Sequence, residues 1–204
     1  MTAPNALPVN HHADHPGFSG VTGLIVGLML LWMGRANARL ACGLTDVSTG
    51  DRVVDIGSGP GGAVREAARR DARVTGVDSA PVMLWLARTF TRDAGIEWVE
   101  GTAESVPLPD GSATVLWSLA TVHHWRDVGA GLGEARRLLA PSGRLLAIER
   151  RTQPGATGLA SHGWTQEQAE SFAAQCRSAG FADVALGQHG RGRRAVWTVR
   201  ATRP

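Results

Sequence analysis

Three groups of residues in this chain have types and spacings that suit chemistry. The first is VVDIGSGPGG, residues 53–62, in which Gly57, Gly59 and Gly62 make a G-x-G-x-x-G spacing. Glycines so spaced let a strand-to-helix loop bring its backbone close to a ligand. Asp55 stands two residues before the first glycine. A carboxylate there repels a pyrophosphate docked on a helix N-terminus, and favours a ligand that carries an ammonium and a sulfonium cation. The second is Asp78, 21 residues beyond Gly57, where a carboxylate can accept from both hydroxyls of a ribose. Asp78 suits any adenosine ligand, NAD included, so Asp55 is the residue that discriminates. The third is TVHHW, residues 121–125, with His123 and His124 followed at a distance by Glu149. An imidazole can take a proton from an acceptor. Glu149 could orient it, bind acceptor hydroxyls, or simply pair with Arg144 or Arg150.

Further histidines lie outside these groups. NHHADHPGF supplies His11, His12, Asp14 and His15. Neighbours in sequence rarely close a metal site without distant ligands, so no metal ligands are assigned and the segment is read as a lid over the acceptor pocket. His162 and Trp164, in LASHGWT, make a second candidate pocket wall, although Trp125 and Trp164 serve equally well as core. Arg35 could meet a ligand carboxylate, or be a solvated helix end.

The elements that must hold these residues alternate in the βαβ manner from Asp51 onward. RVVDI, ARVTGVD, IEWVEG, ATVLWSLA and RLLAIERR read as strands. GAVREAARR, PVMLWLARTFTRDAG and VGAGLGEARRLLA read as the helices between them, the second opened by a proline and closed by a glycine. PSG is a turn, and TQEQAESFAAQCRSAG a capped amphipathic helix beginning near Thr165. ADVALG and RAVWTVRA close the chain as two strands. The expected fold is α/β, a doubly wound Rossmann-like sheet with a terminal antiparallel pair.

Composition narrows the classes. With 204 residues, 43% hydrophobic and 19% charged, the chain suits one globular domain, divided here into an N-terminal lid and helix (1–45) and a ligand-binding domain (46–204). All 21 basic residues are arginine, the net charge is only +3, and no basic stripe is interleaved with aromatics, so no nucleic-acid partner is expected. Cys42 and Cys176 lack C-x-x-C spacing, which gives neither a disulfide framework nor a zinc site and suits a cytoplasmic location. VTGLIVGLMLLWM, residues 21–33, falls short of the roughly 20 residues of a membrane span. It is read as a buried or interface helix continuing through GRANARLACGL, and as a candidate homodimer surface.

VVDIGSGPGG, GVDSAPVMLWLA, VEGTAESVPLPDGSATVLWSLATVHHW and EARRLLAPSGRLLAIE together resemble the class I S-adenosylmethionine-dependent methyltransferases, in particular the broad group that includes the ubiquinone and menaquinone biosynthesis enzymes. The resemblance runs from about Asp51 to Arg151. It implies a seven-stranded sheet ending in a β-hairpin, S-adenosyl-L-methionine as cofactor and S-adenosyl-L-homocysteine as product. It further implies that the loop of Gly57, Ser58 and Gly59, with Asp55 behind it, holds the methionine end, and that Asp78 takes the ribose. Ser79 and Met83 would lie along the adenine or ribose face, Thr102 and Ala103 at the adenine edge, and Ser118 beside the methionine amine. Thr102 departs from the family's usual aspartate; its hydroxyl accepts the same bond without the charge.

Methyl transfer needs alignment and exclusion of water more than covalent help, and an alcohol acceptor must also lose a proton. His123, His124 and Glu149 therefore point to O-methylation of a small-molecule hydroxyl, on a sugar or polyketide-like ring, with a histidine base. Magnesium is left open. The alternatives are C-methylation of a quinone or other lipid-like ring, and a protein that binds S-adenosylmethionine without turning it over.

Overall fold

The computed structural model describes residues 8–13, 34–91, 93 and 95–204. The apolar stretch 21–33, Asp14 and His15 lie outside them, and with them most of the expected lid and the first part of the expected buried or interface helix, whose continuation through GRANARLACGL is described. Among the described residues no helix is long and apolar enough to cross a membrane.

Seven strands form one sheet: β1 (Arg52–Ile56), β2 (Arg73–Asp78), β3 (Ile96–Glu100), β4 (Ala113–Leu119), β5 (Leu139–Arg150), β6 (Ala182–His189) and β7 (Val196–Thr202). Their order is β3-β2-β1-β4-β5-β7-β6. The first five are parallel; β7 runs antiparallel between β5 and β6. The expected doubly wound sheet with an antiparallel end is thus present. Its strand order reverses between β1 and β4, and ligands bind such sheets outside the carboxyl ends of the strands at that reversal.

Among the described residues five helices cover the sheet: α1 (Arg35–Leu44), α2 (Gly62–Ala68), α3 (Pro81–Phe90), α4 (Val128–Leu138) and α5 (Gln166–Ser178). Apolar residues of α1 and α2, among them Ala41, Cys42, Val64 and Ala67, pack with Val53, Val115, Trp117 and Leu146 of one face. Leu132, Ala135 and Leu138 of α4 and Ala169, Phe172 and Cys176 of α5 pack with Val54, Leu116 and Leu145 of the other. The central strands are buried on both faces, which is why they read as β-branched and aliphatic runs rather than as alternation.

Local chemistry sets most boundaries. Thr165 caps α5 by accepting from the Gln168 amide, while the Gln168 side chain accepts from the Thr165 amide, a reciprocal capping box. Asp127 caps α4 through the Ala130 amide. Two expectations are corrected. Helix α3 stops at Phe90 instead of running to Gly95, because Thr91 turns extended (φ −136°) and its hydroxyl accepts from Arg65 Nη1 at 3.1 Å. The PSG turn lies inside β5 as an irregularity, with Ser142 left-handed at φ 62°.

Candidate active site

The loop after β1 turns under three left-handed glycines, Gly57 (φ 74°), Gly59 (φ 53°) and Gly61 (φ 83°). The amides of Gly57 and Ser58 both donate to Val77 O, at 2.8 and 2.9 Å, tying the loop to β2. At Gly57 a Cβ would lie 2.5 Å from the Thr121 side chain, so only glycine fits between β1 and the segment after β4. Asp78 braces the same loop: its Oδ2 accepts from the Gly59 amide and its Oδ1 from the Ala80 amide, both at 2.8 Å. Burial raises the Asp78 pKa above the usual carboxylate range, and the amides of Ala80, Gly59 and Ser79 oppose that rise.

Asp55 lies at the carboxyl end of β1, 2% exposed, beside Gly76 of β2 and Trp117 of β4. Burial and then the neighbouring Asp78 charge push its pKa up to about 8. Its Oδ1 and the Ser58 hydroxyl are buried without a hydrogen-bond partner among the described residues. Polar atoms are seldom left so. Two orphaned acceptors beside a glycine loop suit a bound group that brings positive charge and N–H donors. The methionine end of S-adenosylmethionine fits that donor set.

The other cofactor positions divide. Ser79 and Thr102 are exposed at the ends of β2 and β3, and Thr102 exchanges backbone bonds with Ser105. Ala103 is buried at 7%. Met83 is 1% exposed on α3. Ser118 is fully buried, and its hydroxyl meets Thr121 Oγ1 at 2.6 Å. Thr121, which no sequence pattern marked, also donates to Ile56 O at 3.0 Å, pinning the segment after β4 to the end of β1. Ala120 makes that turn possible in a left-handed conformation (φ 61°), which costs a non-glycine residue about 1–2 kcal/mol.

Two residues past Thr121, the short 3-10 turn Val122–His124 places the histidines at the carboxyl edge. His123 is 3% exposed and Glu149, at the end of β5, is fully buried. His123 Nδ1 donates to Glu149 Oε2 at 2.9 Å, and the His123 amide reaches Glu149 Oε1 at 3.4 Å. The partner of Glu149 is thus an imidazole, not arginine. Arg144 pairs instead with Asp51, and Arg150 donates to the carbonyls of His162 and Leu159. His124 Nδ1 lies 3.3 Å from the His12 carbonyl. Burial, reinforced by His123, pushes the His124 pKa down to about 4.

The described part of the N-terminal segment comes down on this edge. Trp164 Nε1 donates to Val9 O at 3.0 Å, the His12 amide to His123 O at 2.9 Å, and Gln168 Nε2 to Pro8 O at 3.0 Å. Trp164 is fully buried against Phe172, with ring centroids 4.8 Å apart, and Trp125 is also core; neither is a stacking surface for a ligand. Gly163 closes the loop after β5. It sits at φ 133°, where a Cβ would lie 2.2 Å from Arg150 O. Gly163→Ala is expected to cost about 2–4 kcal/mol and to free the loop that carries His162. A lowered Tm together with loss of the Trp164 near-ultraviolet circular dichroism would check this.

Comparison with known proteins agrees with the fold. A methyltransferase domain family matches residues 54–147. The chain is 36% identical over 112 residues to demethylmenaquinone methyltransferase of Tropheryma whipplei, covering 54% of this chain and 46% of that protein. It is 33% identical over 130 residues to 27-O-demethylrifamycin SV methyltransferase of Amycolatopsis mediterranei, covering 61% and 47%. The chain thus spans about half the length of the curated relatives it matches. In fold it is similar to an S-adenosylmethionine-dependent methyltransferase from Aquifex aeolicus, with a TM-score of 0.73 at 16% identity over 88% of this chain and 98% of that one.

Proposed function

We propose that the chain is a class I S-adenosylmethionine-dependent methyltransferase that methylates a hydroxyl oxygen of a small-molecule acceptor bound over the carboxyl ends of β4 and β5. The observation that carries this reading is the buried His123–Glu149 pair, with Nδ1 and Oε2 2.9 Å apart. Bound in the glycine loop, S-adenosylmethionine supplies a methyl carbon made electrophilic by its sulfonium. Asp55 faces the ammonium end, and Asp78 takes the ribose. Glu149 holds the Nδ1–H tautomer of His123, which leaves the Nε2 lone pair to take the acceptor's proton as its oxygen attacks. His124 is the second imidazole available to the acceptor, and the segments 8–13 and 158–164 close the edge against water.

The name of the Amycolatopsis relative, which specifies an oxygen-linked methyl group, supports an oxygen acceptor. A second reading, methylation of a quinone ring, is favoured by the Tropheryma relative and makes a base less necessary. The test is a panel of phenolic and sugar hydroxyls and a quinol, followed by formation of S-adenosylhomocysteine. For hydroxyl acceptors, His123→Asn and Glu149→Gln are expected to lower kcat by about 10²–10⁴-fold while the Kd for S-adenosylmethionine stays at its wild-type value. Turnover confined to the quinol, and indifferent to both substitutions, would replace this reading with the second.

A further inference from the structure

We propose that the histidine-lined edge is a binding site for a divalent transition-metal ion of the zinc type, with His123, His124 and His162 as its protein ligands. The three residues come from two separate loops, yet each offers a ring nitrogen and these atoms all lie within 4.8 Å of one another. The ring centroids stand 4.1 Å apart for His123 and His124, 5.4 Å for His123 and His162, and 5.5 Å for His124 and His162. Ligand nitrogens about 2.0–2.1 Å from a tetrahedral zinc ion are about 3.4 Å from one another. A closure on the order of 1 Å between the rings, one buried and two half-buried, would bring them to that spacing.

Three further observations point the same way. Glu149 holds His123 through Nδ1, so the Nε2 lone pair is the one presented, and a carboxylate behind a ligating imidazole is the usual outer partner in zinc sites. His162 is carried on a backbone turn that only glycine at position 163 permits, with its carbonyl fixed by Arg150 Nε at 2.9 Å. His12 is stacked on His162, with centroids 4.2 Å apart and planes 16° apart, which backs the third ligand with another ring. Imidazoles clustered this densely suit an ion that takes several lone pairs at once. Three neutral imidazoles are the donors of zinc, cobalt or nickel; magnesium and calcium require oxygen.

Three protein ligands leave the fourth tetrahedral position open, as in catalytic rather than structural zinc sites. Ion and proton are alternatives at His123 Nε2. The free imidazole base described above belongs to the metal-free protein, and in the loaded protein the open position is where an acceptor oxygen would coordinate. Binding of the ion is independent of the transferase reading and is tested without turnover.

The experiment uses the full, untagged chain, freed of metal by chelation, and titrates it with cobalt(II) and with zinc(II) against a chromophoric chelator. One ion per chain is expected, with the visible ligand-field bands of four-coordinate cobalt and a raised Tm on adding zinc. His162→Ala and His123→Gln are expected to weaken binding by about a hundredfold or more, and Glu149→Gln, which keeps shape and removes charge, by about tenfold. His189→Ala, on β6, leaves it at the wild-type value. Each variant's Tm without metal reports whether it folds; Glu149→Gln carries the test if a ligand variant does not. Absence of saturable binding by the wild type would overturn the proposal. So would binding that survives in a folded His123→Gln/His162→Ala double variant, or that is lost only when His11 and His15 are replaced.

Discussion

Replacing Asp78 by alanine is expected to weaken S-adenosylmethionine binding by about a hundredfold. Both carboxylate oxygens are already anchored, Oδ2 on the Gly59 amide and Oδ1 on the Ala80 amide, so each presents a remaining lone pair in a fixed direction at the end of β2. Two charge-assisted bonds to ribose hydroxyls, at the lower end of about 1.5–3 kcal/mol each, amount to about 3 kcal/mol, or about two powers of ten in Kd. The substitution also frees the Gly59 amide and so loosens the loop that the cofactor needs. Asp78→Asn keeps one acceptor oxygen without the charge and is expected to lose about tenfold. Calorimetric titration with S-adenosylmethionine and S-adenosylhomocysteine measures both. Wild-type affinity in a folded Asp78→Ala protein would remove Asp78 from the site.

Asp55 is expected to make cofactor binding depend on pH. In the free protein its pKa is about 8, raised first by burial and then by Asp78, so at neutral pH it is mostly protonated. A cationic ligand favours the carboxylate, and binding below pH 8 therefore expels a proton. Affinity is expected to rise with pH towards 8, by up to about tenfold per unit. It then stops rising, because Asp55 is already ionised and the ligand's own α-ammonium begins to lose its proton near a pKa of about 8. Proton release, read by calorimetry in buffers of different ionisation enthalpy, checks the mechanism directly. Asp55→Asn should abolish both the release and the pH slope.

The same group shapes stability without ligand. Its pKa is raised on folding, so between about pH 4 and pH 8 the folded state holds a proton that the unfolded chain has lost. Stability then falls as pH rises through that window, by up to about 1.4 kcal/mol per unit, and levels off above it. Asp55→Asn should flatten this part of the profile.

The proposed cofactor half of the site rests on parts that are local in the amino-acid sequence. Glycine at 57 and 59 answers to backbone conformation, and Asp55 and Asp78 sit at strand ends whose β-branched runs and following turns mark them. The capping box at Thr165 and Gln168 and the alternation of strands and helices are local in the same sense. Where a residue's partner is distant, local pattern failed. Helix α3 was expected to reach Gly95, but Arg65 holds Thr91 extended.

The acceptor half depends on pairings across long separations. Glu149 had arginines nearby in sequence and a histidine 26 residues away; the parallel register of β4 and β5 brings the carboxylate under His123. Thr121 gained a role only because β1 and β4 are neighbours at the reversal of strand order. His12, His123, His124 and His162 belong to three segments, drawn together by the Trp164 bond to Val9 and the glycine turn at 163. Spacing along a chain records what a backbone must do within a few residues. Which side chains meet at the carboxyl edge is decided by strand order and loop closure, which the chain encodes only through the packing of its whole core.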